Sequence, residues 1–240
     1  MFVGDVMAGR LGAISLQEYL SLFASALAIG FVMSFRSWGA TSLNVVAGVT
    51  HWVFYSLFAF LFLLIRLSAQ KFVALKKGYL LSYSAHRFTL PISIFLAFFS
   101  FGFIPFLSVG EVRVNPSHRL RLGTLFYSLN YGDLALIGLA APLSLILFMV
   151  VLKPLFLSSF AHDLLVRIVL LAALISVSGL LPIVGQEGLA VLYYRRWLFI
   201  LSFSFVVIYF VLVLLAGVFS YVVAFLLALL VAHIYKTYAS

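Results

Sequence analysis

The architecture of this chain is best approached from WLFILSFSFVVIYFVLVLLAGVFSYVVAFLLALLVAHIY, residues 197–235. This run contains no Asp, Glu, Lys, Arg or Pro and a single glycine, Gly217. As one helix it would be about 58 Å long, whereas the hydrocarbon core of a bilayer is about 30 Å thick. Because no turn signal divides the run, it predicts one long, strongly tilted membrane helix. The alternative is a helix that breaks at residues 216–217.

The composition of the whole chain also indicates a membrane protein. Of the 240 residues, 65% are hydrophobic and 9% are charged, and the mean hydropathy is +1.24. A soluble domain carries roughly 25% charged residues, so an ordinary soluble globular protein is excluded. The formal net charge of +9 comes from basic residues between apolar stretches. There they meet lipid head groups or set the topology, so we expect no nucleic-acid partner.

Several classes of functional site are excluded because their residues are missing. Cysteine is absent, which removes disulfides, thiolate metal sites and thiol catalysis. No Walker loop, GxSxG elbow or GxGxxG turn is present. The histidines lack zinc-binding spacing, so we expect neither a metal nor a cofactor; they are His51, His86, His118, His162 and His233.

Charged residues divide the chain into apolar segments. Residues 66–87 interleave basic and apolar side chains, which predicts an amphipathic segment at a head-group surface. We expect one all-α membrane domain over residues 1–240, with about five to six membrane helices. Residues 1–123 would supply the N-terminal helices and the interfacial segment. Residues 124–240 would form a hairpin of two long, strongly tilted C-terminal helices.

Small residues recur on one face of the last run, at every fourth position. This spacing lets a second helix approach closely, which is how helices commonly pack in lipid. It predicts a packing face made of Ala216, Ser220, Ala224, Ala228 and Ala232.

Arg167 is the most unusual residue, because it lies in the apolar segment DLLVRIVLLAALISVSGLL, residues 163–181. An arginine does not lose its proton, and at the bilayer centre it costs about 2.5 kcal/mol or more. A fixed positive charge there can lower the pKa of a carboxylate on a partner subunit. The alternatives are an ion pair with Asp163, four residues earlier, and snorkelling of the side chain to the interface.

Three motifs are similar to those of one family of membrane proteins. FFSFGFIP, residues 98–105, is similar to the family's NLLGLLP segment, with Gly102 and Pro105 at matching positions. LLVRI, residues 164–168, is similar to the family's LAVRL, in which the arginine is essential.

The third motif is LLAGVFSYVVAFLLALLVAHIY, residues 214–235, which is similar to the family's closing helix. Arg167 and Ser220 are separated by 53 positions, close to the spacing between arginine and closing helix in that family. Through these motifs, residues 90–235 resemble subunit a of the F-type ATP synthase in its mitochondrial form.

The resemblance implies a proton-translocating stator subunit that forms two aqueous half-channels against a ring of c subunits. Arg167 would separate the half-channels, and the subunit would do no bond chemistry itself. The implied partners are the c-subunit ring, the peripheral stalk and other membrane subunits of the complex, and the implied location is the mitochondrial inner membrane. The family's Asn and His after the arginine are replaced by Leu171 and Ser176. Anionic lipid such as cardiolipin is expected at the basic 66–87 segment.

The remaining polar residues receive individual predictions. Glu187 either opens a half-channel or lies in a solvated turn. The candidates for the proton path are Asp163, Glu187, His162, Ser176, Ser220 and Tyr221. Other expectations are a buried and satisfied His51, an N-cap at Asp133, a snorkelling Lys153, an interfacial His233, and acids outside the membrane at Asp5, Glu18 and Glu111.

Two further functions stay open on the sequence alone. A membrane subunit of a respiratory dehydrogenase would place ionisable residues on broken helices at several depths of the bilayer. A purely structural membrane subunit of a large assembly would use Arg167 and Asp163 as a packing ion pair.

Overall fold

The computed structural model describes residues 14–39, 44–116, 130–152, 162–215 and 220–239. Side chains are described throughout these ranges except at 116, 162, 214, 215, 220, 221, 238 and 239. All structural statements below concern these parts of the chain.

The described residues form eight helices and one pair of short strands, which confirms the all-α class. Five helical segments are long and apolar enough to cross a membrane, so this is a multi-pass membrane protein. In chain order the elements are α1 (Leu16–Ser34), α2 (Val45–Lys76), β1 (Tyr79–Ser84), α3 (Thr89–Phe99), β2 (Glu111–Pro116), α4 (Tyr131–Leu152), α5 (His162–Leu180), α6 (Glu187–Tyr194), α7 (Arg196–Leu215) and α8 (Ser220–Ala239).

Helix α1 packs antiparallel on α2. Its start is fixed by a capping box, in which Ser15 and Glu18 each bond to the other's backbone N–H. Trp52 Nε1 donates to the Leu27 carbonyl oxygen at 3.0 Å. Further along α1, Gly30 lies against Ser56, and a side chain at Gly30 would collide with the Ser56 hydroxyl. The missing side chain therefore brings the two backbones close together.

Helix α2 is the centre of the bundle, and α4 and α5 pack against it in opposite directions. Phe62 of α2 contacts Phe148 of α4 edge to face, with ring centroids 6.0 Å apart. Lys77, just beyond α2, pairs with Asp133 at the start of α4, so α4 runs antiparallel to α2. Helix α5 runs parallel to α2, because His51 bonds to Arg167 and Arg66 bonds to Ile175 further along both helices.

The strands β1 and β2 pair antiparallel, with Tyr79 opposite Pro116 and Ser84 opposite Glu111. This pair of strands was not predicted from the sequence. Between the strands the chain runs along α1 as α3 and returns as the extended segment 105–110, in which residues 107–109 are buried. Non-helical backbone at membrane depth is tolerated where protein covers it, as here.

The prediction of an interfacial amphipathic segment over residues 66–87 is wrong. Residues 66–76 are the last turns of α2, and Arg66 and Lys71 are buried in the bundle instead of lying at a head-group surface. Their charges are compensated by carboxylates from distant parts of the chain, which the local sequence does not reveal.

The single long helix predicted for residues 197–235 is also wrong. Residues before 216 belong to α7 and residues after 219 to α8, and these two helices pack on each other. The Phe205 and Phe225 rings contact edge to face with centroids 6.0 Å apart, whereas twenty residues of one helix would separate them by about 30 Å. The chain therefore reverses direction between α7 and α8, which is a sharper change than the break at 216–217 given as the alternative.

The predicted stripe of small residues lies on the face of α8 that packs against α7. Ala224, Ala228 and Ala232 are buried, while their large neighbours on α8 are exposed. Ala216 lies outside the described residues, as does the side chain of Ser220. The burial of the three alanines is that expected of a close helix–helix contact.

Candidate functional site

Two polar side chains on one face of α2 lie inside the bundle. Arg66 and Gln70 are four residues apart, so they share a helix face, and each is only 2% exposed. Both point at Glu187, the first residue of α6. We call Arg66, Gln70, Gln186 and Glu187 the polar centre.

The polar centre is held together by direct contacts to one carboxylate oxygen. Arg66 Nη2 and Glu187 Oε1 are 2.9 Å apart, and Gln70 Nε2 donates to the same oxygen at 3.1 Å. Arg66 Nη1 donates to the Ile175 carbonyl oxygen of α5 at 2.9 Å. The centre thus joins α2, α5 and α6, and the guanidinium neutralises the carboxylate inside the protein.

Glycines make room for the centre. A side chain at Gly179 would strike the Arg66 guanidinium and come within 2.9 Å of Glu187 Oε2. One at Gly188 would collide with the Leu180 carbonyl, at the bend between α5 and α6. These two positions let α5 end and α6 begin directly beside the ion pair.

Three polar atoms of the centre are buried without a hydrogen-bond partner among the described residues. They are Glu187 Oε2 and both amide atoms of Gln186, Oε1 and Nε2. Leaving such a group unsatisfied costs about 1–3 kcal/mol, and buried polar groups in native proteins are nearly always satisfied. The partners of these atoms therefore come from outside the described residues: from water, a ligand or another part of the chain.

A cavity of about 340 Å³ is lined in part by the same two residues, Gln186 and Glu187. Its wall combines the polar centre with the apolar face of β2 and parts of α4 and α6. Among the lining residues are Gln70, Gln186, Glu187, Val112, Val114 and Tyr193. Sites for small molecules have this character: a mostly apolar wall with a few convergent polar groups.

Two residues of the polar centre have the i, i+4 spacing that occurs in some zinc sites, but neither is a metal ligand. Two histidines at i and i+4 of a helix, with a carboxylate from another element, bind zinc in metalloproteases, where a glutamate at i+1 is the general base. Here Arg66 and Gln70 hold the histidine positions, and the buried Leu67 holds the glutamate position. Arginine has no acceptor for a metal ion, and the described residues contain no cluster of three metal-ligating side chains. Arg66 supplies the positive charge that a metal would otherwise supply.

A second buried ion pair ties the strands to the bundle. Lys71 Nζ and Glu18 Oε2 are 2.7 Å apart, and the Tyr83 backbone N–H donates to Glu18 Oε1 at 3.0 Å. Glu18, expected outside the membrane, is therefore buried between α1, α2 and β1. Because it also caps α1 through Ser15, this one carboxylate fixes both the helix start and the strand.

The Tyr83 hydroxyl is buried beneath the return segment. Its Oη lies 2.9 Å from the Val109 carbonyl oxygen and 3.0 Å from Ser25 Oγ. Burial raises the pKa of this phenol well above its ordinary value, and the bond to Ser25 offsets that effect only in part. Tyr83 therefore stays protonated and serves as a structural bridge between α1 and the strands.

Arg167 lies at the opposite end of α2 from the polar centre. Its side chain is exposed, and Arg167 Nη1 lies 3.1 Å from His51 Nδ1. Among the described ion pairs, none joins Arg167 to Asp163. Both residues instead line an open pocket of about 340 Å³ with Thr50, His51, Phe54 and Leu164.

The other predicted site residues do not converge on Arg167. Glu187 belongs to the polar centre and is neither in a solvated turn nor beside Arg167. Ser176 is fully buried and donates to the Ala172 carbonyl oxygen of its own helix at 2.8 Å. The side chains of His162, Ser220 and Tyr221 lie outside the described residues.

The structure describes the surroundings of three residues that received individual predictions. His51 is half-buried instead of fully buried. Asp133 lies in the first turn of α4 and pairs with Lys77 and Tyr79, while Asn130 Oδ1 accepts from the Gly132 N–H at the helix start. His233 is exposed. Asp5 and Lys153 lie outside the described residues.

Arg66, Gln70 and Gln186 were missed by the sequence analysis. The segment that begins at Arg66 was expected at a head-group surface, because a charge usually marks a membrane boundary. The available signal was the i, i+4 spacing of Arg66 and Gln70 within a helical pattern that continues to Lys76.

Comparison with known proteins does not identify a relative, so a functional proposal rests on the geometry described above. No protein-family model matches the chain, and neither a curated protein nor a solved structure matches it.

Proposed function

We propose that this membrane protein binds, at its polar centre, a ligand that carries an amide or a similar hydrogen-bonding group, and that it does so without cleaving the ligand. The observation that supports this proposal is that three buried atoms of Gln186 and Glu187, two residues that line the cavity, have no hydrogen-bond partner among the described residues. In a membrane protein, polar residues that face the bundle interior commonly mark a ligand or ion pathway.

The chemistry of the free atoms selects the class of ligand. Gln186 offers an acceptor and a donor side by side, and Glu187 Oε2 offers a second acceptor. An amide, with its N–H and C=O, complements this pattern. The ligand need not be a cation, because Arg66 already compensates the charge of Glu187.

The absence of cleavage follows from the residues at the centre. Neither Arg66 nor Leu67 can take the role of a metal ligand or of a general base, and Gln70 already donates to Glu187. With Glu187 held in an ion pair, the centre has groups that orient a ligand but none that activates a water molecule.

Photo-crosslinking in native membranes tests this proposal. A benzoyl-phenylalanine is placed at Leu189, which lines the cavity, and at Leu226, which is exposed on α8, as the matched control. We expect an adduct of defined mass at Leu189 that is absent at Leu226 and that disappears when Gln186→Leu is added. Only the same bulk-lipid adducts at both positions, or none, would mean that the cavity holds water and would refute the proposal.

The second candidate function is that of a proton-translocating stator subunit, which the sequence motifs resemble. In its favour, Arg167 is exposed and not paired with Asp163, as an arginine that faces a partner ring must be. Its partners would be the c-subunit ring, the stalk and cardiolipin in the mitochondrial inner membrane.

The test is copurification with a multi-copy c ring, followed by Arg167→Ala, which should abolish proton-driven ATP synthesis. Copurification without any c subunit would exclude this candidate.

A further inference from the structure

The pocket at Arg167 lies near the starts of two helices. It is formed by α2 and α5, which run parallel and therefore begin at the same end of the bundle. His51 lies six residues beyond the start of α2, about 9 Å along the helix, and Arg167 lies about 6 Å beyond Asp163. A helix that begins at the bilayer surface would carry these residues at the depth of the head groups and the first carbons of the acyl chains.

Both signs of charge line this pocket. Arg167 and Asp163 are one helical turn apart on α5 and are not bonded to each other. Since a guanidinium only donates, His51 Nδ1 must accept from Arg167, which places the ring proton on Nε2. The pocket thus offers a guanidinium and a carboxylate that are not bonded to each other.

We propose that this pocket binds the head group of a zwitterionic phospholipid of the phosphoethanolamine type. The phosphate lies against Arg167, and the ammonium group lies against Asp163. A singly charged anion would satisfy Arg167 but would face the Asp163 carboxylate, which has no ion-pair partner among the described residues.

The apolar part of the pocket fits the rest of such a lipid. Phe54 and Leu164 form its wall beside the charges, and Leu164 is exposed toward the bilayer. A volume of about 340 Å³ lies within the range of sites for small ligands, about 300–1,000 Å³, and accommodates a head group with its glycerol. A bound lipid would occupy the surface that the stator candidate reserves for a c-ring carboxylate, so the two uses of Arg167 exclude each other.

The test uses the full chain in detergent and measures binding by native mass spectrometry. The probes are dihexanoyl phosphatidylethanolamine, dihexanoyl phosphatidylglycerol and inorganic phosphate. We expect phosphatidylethanolamine to bind at least about tenfold more tightly than either other probe, because it alone satisfies both charges. Arg167→Gln should weaken its binding about tenfold.

Two further variants separate the contributions. Asp163→Asn should weaken phosphatidylethanolamine and strengthen phosphatidylglycerol, because the repulsive carboxylate is gone. Arg195→Gln is the matched control, since Arg195 is also exposed but lies outside the pocket, and it should change nothing. All four proteins are compared at equal thermal stability.

Four results would overturn the proposal. Equal binding of the two lipids would show an anionic-lipid site, and equal binding of inorganic phosphate would show a site for free phosphate. Lipid binding that is unchanged by Arg167→Gln, or no binding at all, would show that no head group occupies the pocket.

Discussion

At the scale of single residues, Glu187 shows how the chain keeps charge inside a bilayer. One carboxylate oxygen bonds to both Arg66 and Gln70, while the other is buried without a partner among the described residues. A buried ion pair adds little net stability, but removal of one partner leaves an uncompensated charge. The pair therefore makes the structure sensitive to changes at Glu187.

The first prediction concerns the removal of one partner from this buried ion pair. Glu187→Gln should lower the free energy of unfolding by about 3–5 kcal/mol, because Arg66 stays buried without its counter-charge. Glu111→Gln is the control, since Glu111 pairs with an exposed Arg113 and should cost at most about 1 kcal/mol. Thermal unfolding in detergent compares the two. Equal losses would contradict the ion pair described for Arg66.

The second prediction uses the metal-like geometry of the centre. Arg66→His combined with Gln70→His places two imidazoles at i and i+4 opposite Glu187, which should create a zinc site. Zinc at 100 times its dissociation constant should then add about 2.7 kcal/mol of stability, and cobalt should give a tetrahedral absorption spectrum. Adding Glu187→Leu should weaken metal binding. A double variant with no affinity for metal would show that the three side chains do not converge.

The third prediction concerns pH and Tyr83. The pKa of its phenol is raised in the folded protein, while an unfolded tyrosine ionises at about pH 10. The stability that it contributes is therefore complete below pH 10 and declines as the pH rises above that value. In unfolding measurements between about pH 8 and pH 11, Tyr83→Phe should show a shallower alkaline decline than the native chain. Parallel declines would mean that Tyr83 is not buried.

At the scale of secondary-structure elements, α7 and α8 show where hydropathy fails as a guide. Their combined sequence is uniformly apolar, so neither charge nor proline marks the reversal between them. The buried alanines of α8 let it return along α7, and that contact exists only in the folded chain. Local sequence therefore predicts the length of the apolar run but not its folding into two helices.

The fourth prediction tests this reversal. The chain has no native cysteine, so Phe205→Cys with Phe225→Cys gives a clean pair. A short, flexible bis-maleimide should join the two positions, which a continuous helix would hold about 30 Å apart. Phe205→Cys with Leu230→Cys is the control, because Leu230 is exposed. Gel mobility with and without the reagent reads out the link, and its absence from the first pair would favour one continuous helix.

At the scale of the whole molecule, the sequence predicts the structural class well. It does not predict which distant residues come together in the fold. Composition alone establishes a multi-pass helical protein, because a chain with 9% charged residues cannot be covered by polar groups in water. The polar centre could not be predicted in the same way, since Arg66 and Glu187 are 121 residues apart. The pairing of β1 with β2 likewise depends on α3 and the return segment, which bring the strands together.

Arg167 is a residue that the sequence singles out without revealing what surrounds it. Its charge within an apolar segment predicts a functional arginine, but its surroundings come from α2, through His51, Thr50 and Phe54. The sequence singles out the residue, and the fold determines which chemistry reaches it. The polar centre and the Arg167 pocket lie about 22 Å apart along α2, the distance from His51 to Arg66. The molecule thus has two separate polar sites.

Native mass spectrometry of the chain released from its own membrane tests ligand binding at the polar centre. The native protein and Gln186→Leu are compared, because this change removes both free amide atoms without touching the ion pair. We predict a bound non-lipid molecule of one defined mass on the native chain and its loss from the variant. A native chain that carries no such mass, or a variant that retains it fully, would contradict binding at Gln186 and Glu187.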